Sequence, residues 1–120
     1  MKLKTLVLGA SIKRDRYSYM AVSNLLEHGH EVEAIGLQEG EIQGITVKTE
    51  KIMIKNIDTV TLYLNPIRQK EYYDYIIRLR PRRVIFNPGT ENLDFYKILE
   101  NNMIKVEIAC TLVLLTTNQY

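Results

Sequence analysis

The chain has 120 residues, with 16 Lys and Arg against 14 Asp and Glu, a formal charge of +2. Apolar residues make up 46% and charged residues 25%, the balance of a soluble globular protein, and the length suits one domain over residues 1–120 with a core of its own. A large two-domain enzyme is excluded, and so is a disulfide scaffold, because Cys110 has no second cysteine. No apolar run approaches the roughly 20 residues that span a membrane. The short run near the start lacks the cleavage site of a secretory signal, so the expected location is the cytoplasm.

Leu3 to Leu8 is short and apolar and stops at Gly9, the pattern of a buried strand. Ala10 to Arg16 is a polar, basic loop. From Tyr17 to His28, the residues Ala21, Val22, Leu25 and Leu26 recur at helical spacing, and Gly29 supplies a stop. Glu31 to Ile35 alternates weakly and ends at Gly36, which predicts a second strand. Residues 37–57 show turns at Gly40 and Gly44 and a short extended piece at Ile45–Val47, with no helix. Thr59 to Leu64 is β-branched and aromatic, a third strand. Asn65 suits an N-cap and Pro66 the first helical position, so a helix is predicted from there to Arg80, with Tyr72, Tyr73, Ile76 and Ile77 turned inward. Arg83 to Phe86 is a fourth strand. Asn87 to Thr90 is a turn, with Thr90 a cap for a helix carrying Phe95, Ile98 and Leu99. Ile104 to Glu107 is a fifth strand, and Ala109 to Leu115 fits a short helix or a strand.

Strands alternating with helices predict a parallel sheet covered on both faces. Ligands of such sheets bind at the carboxyl ends of the strands, at the topological switch point. That rule selects Gly9–Ser18, Ile35–Gly36, Leu64–Pro66 and Asn87–Glu91.

Gly9-Ala10-Ser11 stands between a strand and a helix, where small residues let backbone N–H groups approach a phosphate at the helix N-terminus. The dinucleotide fingerprint is incomplete, since Ser11 and Arg14 stand where it has glycines; a plain tight turn is the other reading. Lys13, Arg14 and Arg16 make the loop basic, and Ser11 and Ser18 offer hydroxyls, although Ser18 also suits a cap. Charge is concentrated twice, at net +4 in residues 1–20 and net +4 in residues 66–83. The second strand ends Ile35-Gly36-Leu37-Gln38, without the acid that holds the ribose of NAD. His28 and His30 fall at the opposite end of the sheet and read as surface residues. Cys110 lacks a nearby activating His or acid and reads as a buried thiol, and no grouping has metal-ligand spacing. Tyr72, Tyr73 and Tyr75 read as core and rim, not as a nucleic-acid platform.

Several segments, in order, carry a resemblance. They are Leu6–Ser11, Arg16–Tyr19, His28–Val32, Asp58–Leu64, Val84–Glu91 and Glu107–Thr111. With these the chain resembles the small stand-alone CoA-binding proteins, related to the N-terminal domain of the succinyl-CoA synthetase α-subunit. The resemblance implies an α/β, Rossmann-like, three-layer fold with a five-stranded parallel sheet, and CoA or acyl-CoA at the strand carboxyl ends. Carried over, it sets Gly9, Ala10 and Ser11 against the diphosphate and Lys13, Arg14 and Ser18 near phosphates. Leu64, Asn65, Pro66, Asn87, Pro88 and Gly89 would line the rest of the cleft with Gly36, and Cys110 stands where the family tends to carry Cys. The family often has Asn-Pro after the second strand, where this chain has Gly36-Leu37. The synthetases carry their phosphorylated His in a further domain, so ligase activity is not expected. The sequence thus points to a non-catalytic module for a small nucleotide ligand such as CoA, without nucleic acid or membrane partners; a homo-oligomer is compatible with it. The rival readings are an NAD(P)-binding oxidoreductase with a degenerate fingerprint, and an interaction domain without ligand.

Overall fold

The computed structural model describes residues 2–120. Its central strand is β1 (Thr5–Ala10), where Leu6, Val7 and Leu8 are fully buried because the sheet is covered on both faces. The chain then forms α1 (Tyr17–Glu27), β2 (Val32–Gly36), β3 (Gly40–Ile42), β4 (Ile45–Lys48) and β5 (Thr59–Leu62). It continues through α2 (Pro66–Gln69), a 3-10 turn at Lys70–Tyr72, α3 (Tyr73–Leu79), β6 (Arg83–Phe86), α4 (Leu93–Asn101), β7 (Lys105–Ile108) and α5 (Thr111–Thr116).

The strands lie in the order β3-β4-β2-β1-β5-β6-β7. Neighbours run parallel except for β3 and β4. The fold is therefore Rossmann-like with a mostly parallel sheet, but it has seven strands and not the expected five. The two additional strands come from residues 37–57. There Ile42 pairs with Ile45 across a two-residue turn, Gln43 and Gly44, both with positive φ. Such a turn matches the twist of a hairpin. Its Gln-Gly sequence lacks the usual Asn-Gly signature, so the sequence shows only the extended piece.

Side chains alternate across each strand. Leu6 and Leu8 join the core under α3 and α4, with Tyr75, Ile76, Phe95 and Leu99. Val7 joins a second core with Val22 and Leu25 of α1 and Leu115 of α5. Ala109–Leu115 therefore resolves as a helix, because its inward positions complete this second layer.

The helix expected from Asn65 to Arg80 is broken. Its start is as predicted, with Pro66 at the first turn and Asn65 Oδ1 accepting from the Arg68 N–H at 2.9 Å. It then tightens into the 3-10 turn because Gln69 is fully buried and pinned. Gln69 Nε2 donates to Leu64 O and Thr90 O, both at 2.8 Å. Thr90 is not the cap of α4: Asn92 is, accepting from the Phe95 N–H at 3.2 Å. Thr90 instead donates its hydroxyl to Asn87 O at 2.7 Å.

Candidate functional site

The chain leaves β1 toward β2 on one side and returns with β5 on the other, so the connections diverge above the carboxyl end of β1. A cleft of about 660 Å³ opens there. Gly9 begins it, with φ of 98° and the register slipping between Leu8 and Ala10. A Cβ at Gly9 would lie 3.0 Å from both the Tyr63 carbonyl carbon and the Leu64 side chain, so only glycine lets the loop turn so close to β5.

The loop after Gly9 is closed by its own serines. Ser18 Oγ accepts from the Ser11 N–H at 3.1 Å, and Ser11 Oγ from the Lys13 N–H at 3.2 Å. Ser18 therefore ties the loop to α1 and does not cap the helix. The N-cap is Arg16, whose side chain makes no capping bond. The first-turn N–H groups of this eleven-residue helix thus have no side-chain cap, and the cleft is lined at that point by Arg16, Tyr17 and Ser18.

Of the residues picked out by sequence, Gly9, Ala10, Ser11, Lys13, Ser18, Leu64, Asn65, Pro88 and Gly89 line the cleft together. Arg14, Gly36, Pro66, Asn87 and Cys110 lie outside its lining. Gly36 is buried, and a Cβ there would fall 2.1 Å from Ala10 O, so it serves the contact between β1 and β2. Cys110 is half-buried at the N-cap of α5. Asn87 sits beneath the cleft at 2% exposure. It donates to Thr61 Oγ1 at 2.6 Å and Leu62 O at 2.8 Å, and its Oδ1 accepts from the Thr111 N–H at 2.9 Å. It thereby locks three segments that carry the floor.

The cleft also contains residues the sequence reading did not select, among them Leu37, Gln38, Tyr63 and Arg68. Arg68 comes from the second basic segment and reaches the site because Asn65 and Pro66 start α2 at the rim. Its signal was available in the charge distribution. Lys13, Arg16 and Arg68 thus face one cleft from two segments, and among the described residues no carboxylate lines it. The nearby Glu91 is engaged, accepting from the Gly89 N–H at 2.9 Å. Burial pushes the Tyr63 phenol up to about 12, against the pull of the Thr61 and Thr111 hydroxyls, so it stays neutral.

A Rossmann-like α/β protein with a cationic cleft at the carboxyl ends of its central strands is the class this architecture defines. The CoA binding domain family matches residues 4–116, and the chain belongs to that family. Among solved structures it is similar to an uncharacterized protein, at 47% identity over 100% of this chain and 99% of that one, with a TM-score of 0.98. It is also similar to a hypothetical protein from Pyrococcus horikoshii OT3, at 25% identity over 93% of this chain and 80% of that one, with a TM-score of 0.84. Aspartate dehydrogenase from Thermotoga maritima shares the fold at 16% identity over 91% of this chain and 46% of that one, with a TM-score of 0.60. No curated protein matches. Among the described residues, no helix is long and apolar enough to cross a membrane.

Proposed function

We propose that the cleft holds CoA or a closely related nucleotide, with its phosphates against the loop between β1 and α1, and that the protein binds this ligand without transforming it. The observation that carries the reading is the lining itself: Lys13, Arg16 and Arg68 with no carboxylate beside the uncapped start of α1. Phosphates need charge-assisted donors and backbone N–H groups at a helix start, and this corner offers both. Membership of the CoA binding domain family favours CoA over other phosphate ligands. The end of β2 supports this choice, because Leu37 and Gln38 line the cleft where an NAD site needs an acid. The non-catalytic part rests on the lining as well. Its titratable groups are cations and tyrosines, and Tyr63 is held protonated by burial, which leaves no evident base.

Isothermal titration with CoA and with NADPH is the direct test. CoA is expected to bind in the micromolar range and NADPH more weakly. Absence of CoA binding at millimolar ligand overturns the reading, and tighter NADPH binding replaces it with the oxidoreductase alternative. The pair Lys13→Ala and Arg16→Ala is expected to weaken CoA roughly tenfold or more at low salt and clearly less near 0.5 M salt. Arg14→Ala, outside the cleft, serves as the control and should change little.

A further inference from the structure

We propose that β7 is a dimerisation edge, across which a second copy of this chain pairs antiparallel about Val106. The inference begins with the backbone. Lys105 N–H donates to Arg82 O at 3.0 Å and Ala109 N–H to Phe86 O at 3.3 Å. In a parallel ladder successive residues turn their backbone groups to opposite sides. Lys105, Glu107 and Ala109 therefore face β6, and Val106 and Ile108 present their N–H and C=O outward from the last strand of the sheet.

This edge carries little of the protection that natural edges have. The opposite edge, β3, is three residues long and begins at a glycine packed under Ile12. β7 is regular, its charges are Lys105 and a Glu107 already paired with Arg83, and Ile108 is 61% exposed at its end.

A two-fold axis through Val106 makes β7 complementary to itself in three ways. Val106 of each copy exchanges both backbone hydrogen bonds with its counterpart, and Ile108 takes the place opposite Ile104, where its N–H donates to the Ile104 carbonyl while the Ile104 N–H stays on Leu99 O at 3.0 Å. On one face the axis brings Lys105 opposite Glu107 twice, in the close non-hydrogen-bonded positions where opposite charges attract. Glu107 Oε1 already accepts from Arg83 Nη1 at 3.0 Å, and its second oxygen is the one available to Lys105 of the second copy. On the other face Val106, which packs half-buried against the core that holds Phe95 and Leu99, meets Val106 of the second copy. The exposed Ile108 there covers Ile104, which is already 5% exposed and so extends the same core. Moving the axis by one residue to Glu107 would still pair Val106 with Ile108 but would set Glu107 against Glu107 and Lys105 against Ala109, so charge selects the register about Val106. Four residues bury a small area, which argues for a reversible dimer of roughly micromolar affinity or weaker.

Sedimentation equilibrium from about 10 μM to about 1 mM tests this, in the range set by such a small interface. The expected mass rises from 14.0 kDa toward twice that value. Lys105→Glu sets like charges opposite each other and is expected to weaken association at least tenfold at low salt. Val106→Pro deletes an outward N–H while sparing the β6 ladder, and is expected to abolish association with the circular dichroism of a folded chain. If Val106→Pro does not fold, the exposed Lys105→Glu decides alone. A monomer across the whole range, or a dimer unchanged by the substitutions, overturns the proposal. Neither outcome bears on CoA binding, which the cleft residues test separately.

Discussion

Gly36 and Asn87 were both picked out as cleft residues, and both are positioned one layer away from it for different reasons. At Gly36 a methyl group would overlap Ala10 O at 2.1 Å, and that oxygen belongs to a strand that cannot move alone. Gly36→Ala is expected to cost about 3 kcal/mol or more in urea denaturation, at the upper end of overpacked cores. Asn87→Ala would strand the Thr111 N–H and remove two donors from a buried network. Its expected cost is about 3 kcal/mol, the desolvation of buried groups left unpaired. Asn87→Asp should recover part of it, because the acceptor for Thr111 is kept. The partners of Asn87 lie 24 to 26 residues away in sequence, so no local pattern could reveal the role. Gly9 is the contrasting residue: a strand end before a helix asks locally for positive φ, and that is where its φ of 98° is found.

Among the elements, the helix starts show what local chemistry can and cannot specify. Asn65 caps α2 and Asn92 caps α4, each with its side-chain oxygen on the third N–H. Asn65→Ala is expected to cost about 1 kcal/mol, the usual worth of a cap. Asn92→Ala should cost about 2 kcal/mol or more, because Asn92 Nδ2 also donates to Gln69 Oε1 at 2.9 Å and Tyr73 Oη at 2.8 Å. The two variants measured side by side in urea check the order. Asn65-Pro66 was legible as a start because both signals are adjacent. Thr90 was misread as a cap because Thr and Asn are both good N-caps, and tertiary bonds chose between them. The same network, through Gln69, explains why the following helix breaks where its periodicity is uninterrupted. In the sheet, β1, β2, β5, β6 and β7 were legible as strands, β1 from its apolar run, β2 from an alternation ending at Gly36 and β5 from its β-branched and aromatic residues, whereas the β3–β4 pairing depends on a turn with weak local preference.

At the scale of the whole molecule, the amino ends of the strands gather a second polar cluster far from the cleft. Thr5, Thr59 and Arg83 lie in register on β1, β5 and β6. Arg83 is 3% exposed, donates to Thr59 Oγ1 at 2.9 Å, and lies 4.4 Å from the ring of Tyr120. His30 also packs against Tyr120, ring centroids 4.9 Å apart, and its Nδ1 accepts from the Leu3 N–H at 2.9 Å. Burial, and then the charges of His28 and Arg83, hold its pKa below the ordinary histidine value. The folded chain therefore binds fewer protons here than the unfolded chain. This contribution is present above the unfolded value of about 6.5 and is lost as pH falls through the folded value. Thermal melts are expected to shift to lower temperature between pH 7 and pH 5, and His30→Gln to flatten that slope. A second loss belongs to Asp58. Burial opposes its charge, but the hydrogen bonds from Arg82 and Thr59 outweigh this and lower its pKa, so its contribution disappears at more acidic pH. The sequence alone determined the alternation of strands and helices, the turn at Gly9, the basic loop after it and the family resemblance, because each is written in neighbouring residues. Tertiary structure decided the rest. It brought Arg68 to the same cleft as Lys13 and Arg16, withdrew Asn87 beneath it, added the β3–β4 hairpin and left β7 as a bare edge. These outcomes depend on which distant segments become neighbours, and packing, not local preference, selects them.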